Sequence, residues 1–259
     1  MKVALAQIDI YWENKEANKT KVLNFIKEAK DLKVQFIAFP EMTLTGFSMN
    51  VEKIGEIYGE TIQWFKNVAK NYDVNIGFGF VEKTQSKSGK NKFIILNTKD
   101  MIISDYTKIH PFSYGMENKY YDSGCSIELS EINEFTIATF ICYDLRFPEI
   151  FQIASNKVEL IVVAANWPES RKDHWISLLK ARAIENQSYI LGVNRFGFGD
   201  GIYYSGNSMI VDPNGNILVE SRDKESLLIY YINKEEVLTL KNNFSVKKDR
   251  KIDIYKNLL

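Results

Sequence analysis

Cysteine is scarce in this chain: Cys125 and Cys142 are the only two in 259 residues. Two thiols cannot build the disulfide framework of a small secreted domain, so a reducing cytoplasm is the expected compartment. Histidine is equally rare. His110 and His174 stand far apart, and neither joins a Cys/His cluster with zinc spacing, so neither a metal site nor a cofactor is expected. Excess charge is missing too. The 33 Lys+Arg balance 33 Asp+Glu, which removes any electrostatic reason to expect nucleic acid or an anionic membrane as a partner. No apolar run approaches the roughly 20 residues that span a bilayer. The opening MKVALAQIDIYW lacks a long apolar stretch followed by a small-residue cleavage site, and reads as a first core strand rather than a secretion signal.

What the chain does have is the material for a core. Hydrophobic residues make up 45% of it, enough to bury a large interior and to exclude wholesale disorder. Short β-branched runs alternate with segments of helical period. Strands are predicted at Val3–Gln7, Val34–Phe39, Val74–Val81, Phe93–Asn97, Met101–Tyr106, Phe135–Cys142, Leu160–Ala165 and Tyr189–Asn194, then at Tyr204–Val211, Ile217–Glu220 and Leu227–Ile232. Val22, Phe25, Ile26 and Ala29 share one helical face. Ile54, Ile57, Trp64, Phe65 and Val68 share another, Trp175 to Ala183 a third, and Lys234 to Leu240 forms a shorter helix. Thr84–Lys92 and Asp212-Pro-Asn-Gly-Asn216 read as hairpin turns. This alternation predicts one α/β domain over residues 1–259, with mixed sheets covered on both sides.

Chemistry gathers where apolar strands end. In open α/β sheets, ligands bind beyond the carboxyl ends of the strands. Phe36-Ile-Ala-Phe-Pro-Glu41 ends in a carboxylate, and Met101–Tyr106 runs into Lys108. Phe135–Cys142 ends in a thiol, Ile161 to Trp167 in Asn166 and Trp167, and Ile190 to Arg195 in Asn-Arg. If these strands share a direction, Glu41, Lys108 and Cys142 converge on one rim. Each also has a structural reading: Cys142 as a small core residue, Glu41 as an acceptor for loop donors, Lys108 as a solvated side chain. His110 and Cys125 are expected to be a structural loop histidine and a non-catalytic thiol. Together, however, the three suit covalent catalysis. A cation or base lowers the cost of the thiolate, Glu41 serves as general base, and Lys108 with the Tyr143 backbone N–H holds an oxyanion. The helix start expected after Cys142 adds a favourable dipole.

Phe39-Pro-Glu41-Met-Thr-Leu-Thr-Gly-Phe47, Tyr106-Thr-Lys108-Ile-His-Pro-Phe112 and Ile141-Cys142-Tyr-Asp-Leu-Arg-Phe-Pro-Glu149 resemble, in order, the three signatures of the nitrilase superfamily of carbon–nitrogen hydrolases. The resemblance runs over essentially the whole chain. It implies a four-layer α-β-β-α sandwich, a Glu41/Lys108/Cys142 triad, a covalent acyl-thioenzyme, and Glu117 as the second glutamate that orients the site. Ala165-Asn-Trp-Pro168, Leu179-Lys-Ala-Arg-Ala-Ile-Glu-Asn-Gln187, Gly192-Val-Asn-Arg195 and Tyr204-Ser-Gly-Asn-Ser208 resemble the omega-amidase branch. That branch implies hydrolysis of short ω-amido-2-oxo acids such as 2-oxoglutaramate, with release of ammonia.

Such a substrate carries a carboxylate that needs a charge-assisted partner once buried. Arg146 and Arg195 are the candidates, with Tyr143, Asn166 and Trp167 assisting. Rival activities are N-carbamoyl amine hydrolysis, deaminated-glutathione amidase, nitrilase and thiol acyltransfer; a different class is a non-catalytic metabolite-binding protein. The resemblance and the aromatic tail from Asn243 to Tyr255 lead to the expectation of a homodimer or larger.

Overall fold

The computed structural model describes residues 1–57, 59–86 and 88–258. The first half builds one sheet: β1 (Lys2–Gln7), α1 (Lys15–Asp31), β2 (Phe36–Ala38), α2 (Val51–Ile54), α3 (Glu60–Tyr72), β3 (Asn75–Lys83), β4 (Gly89–Leu96) and β5 (Ile102–Thr107). The first three strands run parallel and the hairpins after them are antiparallel, so β5 points the same way as β2. The second half contains β6 (Leu129–Ile132), β7 (Phe135–Ile141), α4 (Pro148–Ala154), β8 (Leu160–Ala165), α5 (Lys172–Asn186), β9 (Tyr189–Asn194), β10 (Phe196–Gly199), β11 (Ile202–Val211), β12 (Ile217–Arg222), β13 (Ser226–Tyr231), α6 (Lys234–Asn243) and α7 (Ile252–Leu258). In the second sheet β7, β8 and β9 are parallel, and the chain then turns back through antiparallel β11. β13 leaves this sheet and closes the first one, antiparallel to β1.

The period of two in each strand explains the layers. Val3 and Leu5 of β1, Phe36 and Ala38 of β2, and Phe93 and Ile95 of β4 face the second sheet. Their neighbours Ala4, Ala6, Ile37, Ile94 and Leu96 instead meet Val22, Ile26 and Ala29 of α1 and Phe65, Val68 and Ala69 of α3. Phe65 stacks on Phe78 of β3 at 3.8 Å. On the far side, β8 is buried along its whole length under Phe151 of α4 and Trp175, Leu179 and Ala183 of α5. The result is the α-β-β-α sandwich with mixed sheets. Among the described residues, no helix is long and apolar enough to cross a membrane.

Three expectations are corrected. The single helical face from Ile54 to Val68 is split between α2 and α3. Gly55 ends α2, Gly59 at φ +71° starts α3, and Ile57 between them is 63% exposed. β6 and β10 were not predicted: β6 spans only four residues, and β10 reads Phe-Gly-Phe-Gly, with half its side chains absent. The turn expected over Thr84–Lys92 is shorter, because β4 already begins at Gly89; Lys87 in that turn lies outside the described residues.

Candidate active site

β2 and β5 bring a carboxylate and an ammonium to one end of the first sheet, while β7 and β8 bring a thiol and an amide to the facing end of the second. Glu41 follows β2 on a tightly held segment. Phe39 N–H donates to Gly77 O at 2.8 Å and Thr43 N–H to Gly79 O at 2.9 Å. Only glycine fits at position 79, because a Cβ there would stand 2.4 Å from the Met42 nitrogen. Lys108 follows β5, its N–H donating to Asn91 O at 2.9 Å and its carbonyl accepting from Gly124 N–H at 2.8 Å.

These two side chains and Glu117 are buried together. Lys108 Nζ donates to Glu41 Oε1 at 2.9 Å and to Glu117 Oε2 at 2.8 Å. Asn91 Nδ2 bridges the same two carboxylates, at 2.7 Å to Glu41 and 2.9 Å to Glu117. Phe112 N–H donates to Glu117 Oε2 at 2.5 Å. Burial pushes Glu117 up from its ordinary pKa against the pull of Lys108; three donors nonetheless mark it as an ionised acceptor. Burial also works against the Lys108 ammonium, but Glu117 and Glu41 outweigh it and hold its pKa well above the lysine range. An ammonium has three donors, and two are directed at the carboxylates, so one remains for a ligand. Glu41 Oε2 accepts the Asn166 N–H at 2.9 Å, with only a long 3.4 Å contact from Asn166 Nδ2 besides, so it has room for a further proton.

Cys142 is half-buried and sits at φ +47°, left-handed backbone that a β-carbon disfavours by roughly 1–2 kcal/mol. The strain marks a sharp corner between β7 and a 3-10 turn, Cys142–Arg146. The regular helix expected here starts only at Pro148. In the 3-10 turn the N–H of the second residue, Tyr143, likewise has no carbonyl partner within the turn. Asp144 holds the corner. It accepts from Ile141 N–H at 3.0 Å, Tyr106 hydroxyl at 2.7 Å and His110 N–H at 3.0 Å, tying the Cys142 turn to the loop after Lys108. His110 is thus the structural loop histidine anticipated from sequence, and Cys125 is exposed.

The thiol itself departs from expectation. Burial pushes its pKa well above the ordinary cysteine range, Glu41 adds to the push, and Lys108 opposes without prevailing. Two carboxylates against one ammonium leave the buried cluster net negative, so a resting thiolate is disfavoured. Sγ instead lies 3.9 Å from Asn166 O.

Cys142 opens into a cleft of about 60 Å³, whose walls include Tyr143, Arg146, Asn166, Trp167, Arg171 and Tyr204. Arg146 lies 4.8 Å over the Trp167 ring, with His174 Nδ1 at 3.2 Å. Arg146 forms no ion pair with its sequence neighbours Asp144 and Glu149. Arg195 is placed elsewhere: fully buried, it donates to Ile10 O at 3.0 Å and Phe198 O at 2.7 Å and lies 3.4 Å from Asp9 Oδ1, and it does not line the cleft. Trp167 lines it with its ring, but its indole N–H is taken by Arg171 O at 2.8 Å. Asn166 reaches Glu41 rather than open space, its Nδ2 donating to Glu41 O at 2.6 Å. Asn91, Asp144 and Arg171 were missed from sequence. Among the described residues, no group of three or more His, Cys, Asp and Glu side chains is arranged to hold a metal ion.

The carbon–nitrogen hydrolase family model matches residues 2–242. A protein of Staphylococcus aureus named as a hydrolase in the agr operon is 31% identical, over 99% of this chain and 100% of that one. The 2-oxoglutaramate amidase of Bacillus subtilis is 32% identical over 98% of both. In structure, a carbon–nitrogen hydrolase superfamily protein of Xanthomonas campestris, crystallised with an arsenic adduct in its active site, superposes with a TM-score of 0.91 over 97% of both chains at 25% identity. With the two-sheet fold, the cluster behind the thiol and this full-length match, the chain belongs to the carbon–nitrogen hydrolase family.

Proposed function

We propose that the protein is an omega-amidase: it cleaves the terminal amide of a short ω-amido-2-oxo acid, of the 2-oxoglutaramate class, to a carboxylate and ammonia. The observation that carries this reading is a half-buried thiol backed by a Glu–Lys–Glu cluster, at the base of a small cleft lined by arginine and, among the described residues, by no acid. The similarity to a 2-oxoglutaramate amidase supports the choice of substrate.

In this mechanism Cys142 Sγ attacks the amide carbon as its proton passes to Glu41. The thiol is thereby deprotonated only as it attacks a bound substrate, in keeping with its raised pKa. Lys108 and the Tyr143 N–H hold the oxyanion. Collapse breaks the C–N bond, and the proton on Glu41 leaves with the nitrogen as ammonia. Water then adds to the thioester and gives its proton to Glu41, and the C–S bond breaks as Glu41 returns that proton to Sγ, releasing the acid and restoring both thiol and base. Glu117 and Asn91 keep Lys108 and Glu41 in register.

The test is ammonia release from a panel of amides, carbamoyl amines and nitriles. 2-Oxoglutaramate should exceed an uncharged amide of equal length by about 10²-fold or more in kcat/KM, the scale of one or two hydrogen bonds between charged groups. Equal rates on both, or a preference for carbamoyl amines or nitriles, would overturn the substrate assignment.

The reading extends to a single domain over residues 1–259 that works in the cytoplasm as a homodimer. One core cluster drawing side chains from both sheets supports the single domain. Phe244, Ile252, Ile254 and Tyr255 near the end of the chain support a dimer, because these apolar side chains are left 40–66% exposed. Light scattering at micromolar concentration should give at least twice the 30.0 kDa monomer mass; the monomer value would remove the dimer.

A further inference from the structure

We propose that Arg171 is a specificity-determining residue: with Arg146 it forms a two-guanidinium subsite that holds the acid end of the substrate. The inference rests on the amidase reading and adds to it a residue whose sequence position gave no signal.

Arg171 closes a 3-10 turn, Glu169–Arg171, between β8 and α5. Its backbone is fixed on both sides, the N–H donating to Pro168 O at 3.0 Å and the carbonyl accepting the Trp167 indole N–H. Its guanidinium lies 5.4 Å from the Phe112 ring and lines the cleft that exposes Cys142. Nearby carboxylates are engaged elsewhere: Glu169 pairs with Lys172 at 2.7 Å, and Asp144 is buried in its own network. Among the described residues, neither Arg171 nor Arg146 has a carboxylate within ion-pair distance.

Aromatic faces offer each guanidinium a weak, non-directional partner, which leaves the Arg171 fork, and the Arg146 N–H groups not directed at His174 Nδ1, for an acceptor with two oxygens. A cleft with two such forks and no acid in its wall is built for an anion. The anion belongs at the end of the substrate away from the thiol, since Lys108 and the Tyr143 N–H already serve the reacting carbonyl.

The experiment compares Arg171→Gln and Arg171→Lys with the unaltered enzyme on 2-oxoglutaramate and on butyramide. The ratio of kcat/KM for the anionic over the uncharged amide should fall about 10- to 100-fold in Arg171→Gln, the range for losing a hydrogen bond to a charged group. The change should lie mainly in KM, and Arg171→Lys should recover part of it. An unchanged ratio, or equal loss on both substrates, overturns the proposal.

A second measurement does not depend on turnover. Succinamate titrated calorimetrically into Cys142→Ala protein should bind, and bind about 10- to 100-fold more weakly when Arg171→Gln is added. No binding, or equal binding with and without Arg171, overturns the subsite. An enzyme that prefers nitriles or carbamoyl amines would remove the amidase reading while this titration still reports on the subsite.

Discussion

Cys142→Ala should reduce turnover to background, a loss of about 10⁶-fold in kcat if removal of this nucleophile matches the measured cost in a serine hydrolase. The fold should survive. The thiol is half-buried and its one polar contact is a 3.9 Å approach to Asn166 O, so little packing is lost. Alanine also tolerates φ +47° no worse than cysteine does, so the corner after β7 gains no strain. Circular dichroism and a melting temperature within a few degrees of the parent would separate loss of chemistry from loss of structure. Cys125→Ala is the control: its side chain is exposed and does not line the cleft, and activity should be unchanged. Mass spectrometry during turnover of a slow substrate should place an acyl group on the peptide that carries Cys142. Wild-type activity in Cys142→Ala would remove the covalent mechanism altogether.

Much of the site was legible because strand ends are legible. Apolar runs that stop at Glu41, Lys108 and Cys142 announce themselves, and the parallel direction of β2, β5, β7 and β8 does the rest. What the strand-end rule could not supply is which sheet each end belongs to, and how the chain proceeds afterwards. Arg195 shows the cost. It ends β9 as the rule requires, but the chain continues directly into β10, whose pairing with β11 holds the arginine against backbone carbonyls instead of the cleft. Asn91 failed for a different reason. It lay within a polar stretch taken for a turn, and its burial depends on the hairpin register that sets it opposite Val81. Glu117 was found only through family resemblance. It sits in consecutive 3-10 turns, Ser113–Gly115 and Glu117–Lys119, which leave no hydrophobic period to follow. Arg171 lies in a similar turn. Polar positions in irregular segments are specified by tertiary contacts, which the sequence pattern does not display.

Lys108→Met and Glu41→Gln should each lower kcat by about 10²–10³ or more, for different reasons that a pH series can separate. Losing an oxyanion donor costs on that scale, and losing a general base costs ~10²–10⁴. Lys108→Met also leaves Glu41 and Glu117 buried beside each other without their cation, and unpairing a buried ion pair costs about 3–5 kcal/mol. That variant should therefore melt well below the parent at neutral pH. Glu117 already has a raised pKa, and removing Lys108 takes away what holds it down. An acid whose folded pKa lies above its unfolded value costs stability as pH rises past the unfolded value. The deficit of Lys108→Met should accordingly narrow as pH falls towards the carboxylate range, where Glu117 takes up a proton. Glu41→Gln keeps the Lys108–Glu117 pair and the side-chain shape, but it turns an acceptor into a donor against Lys108, Asn91 or Asn166. Its stability cost should be nearer the ~1–3 kcal/mol of one unsatisfied buried group, with no comparable recovery in acid. Combining Glu41→Gln with Cys142→Ala should lower activity no further than Cys142→Ala alone, because a base has nothing to deprotonate once the thiol is gone. A folded Lys108→Met or Glu41→Gln enzyme with kcat within tenfold of the parent would place the oxyanion donor or the base on another residue.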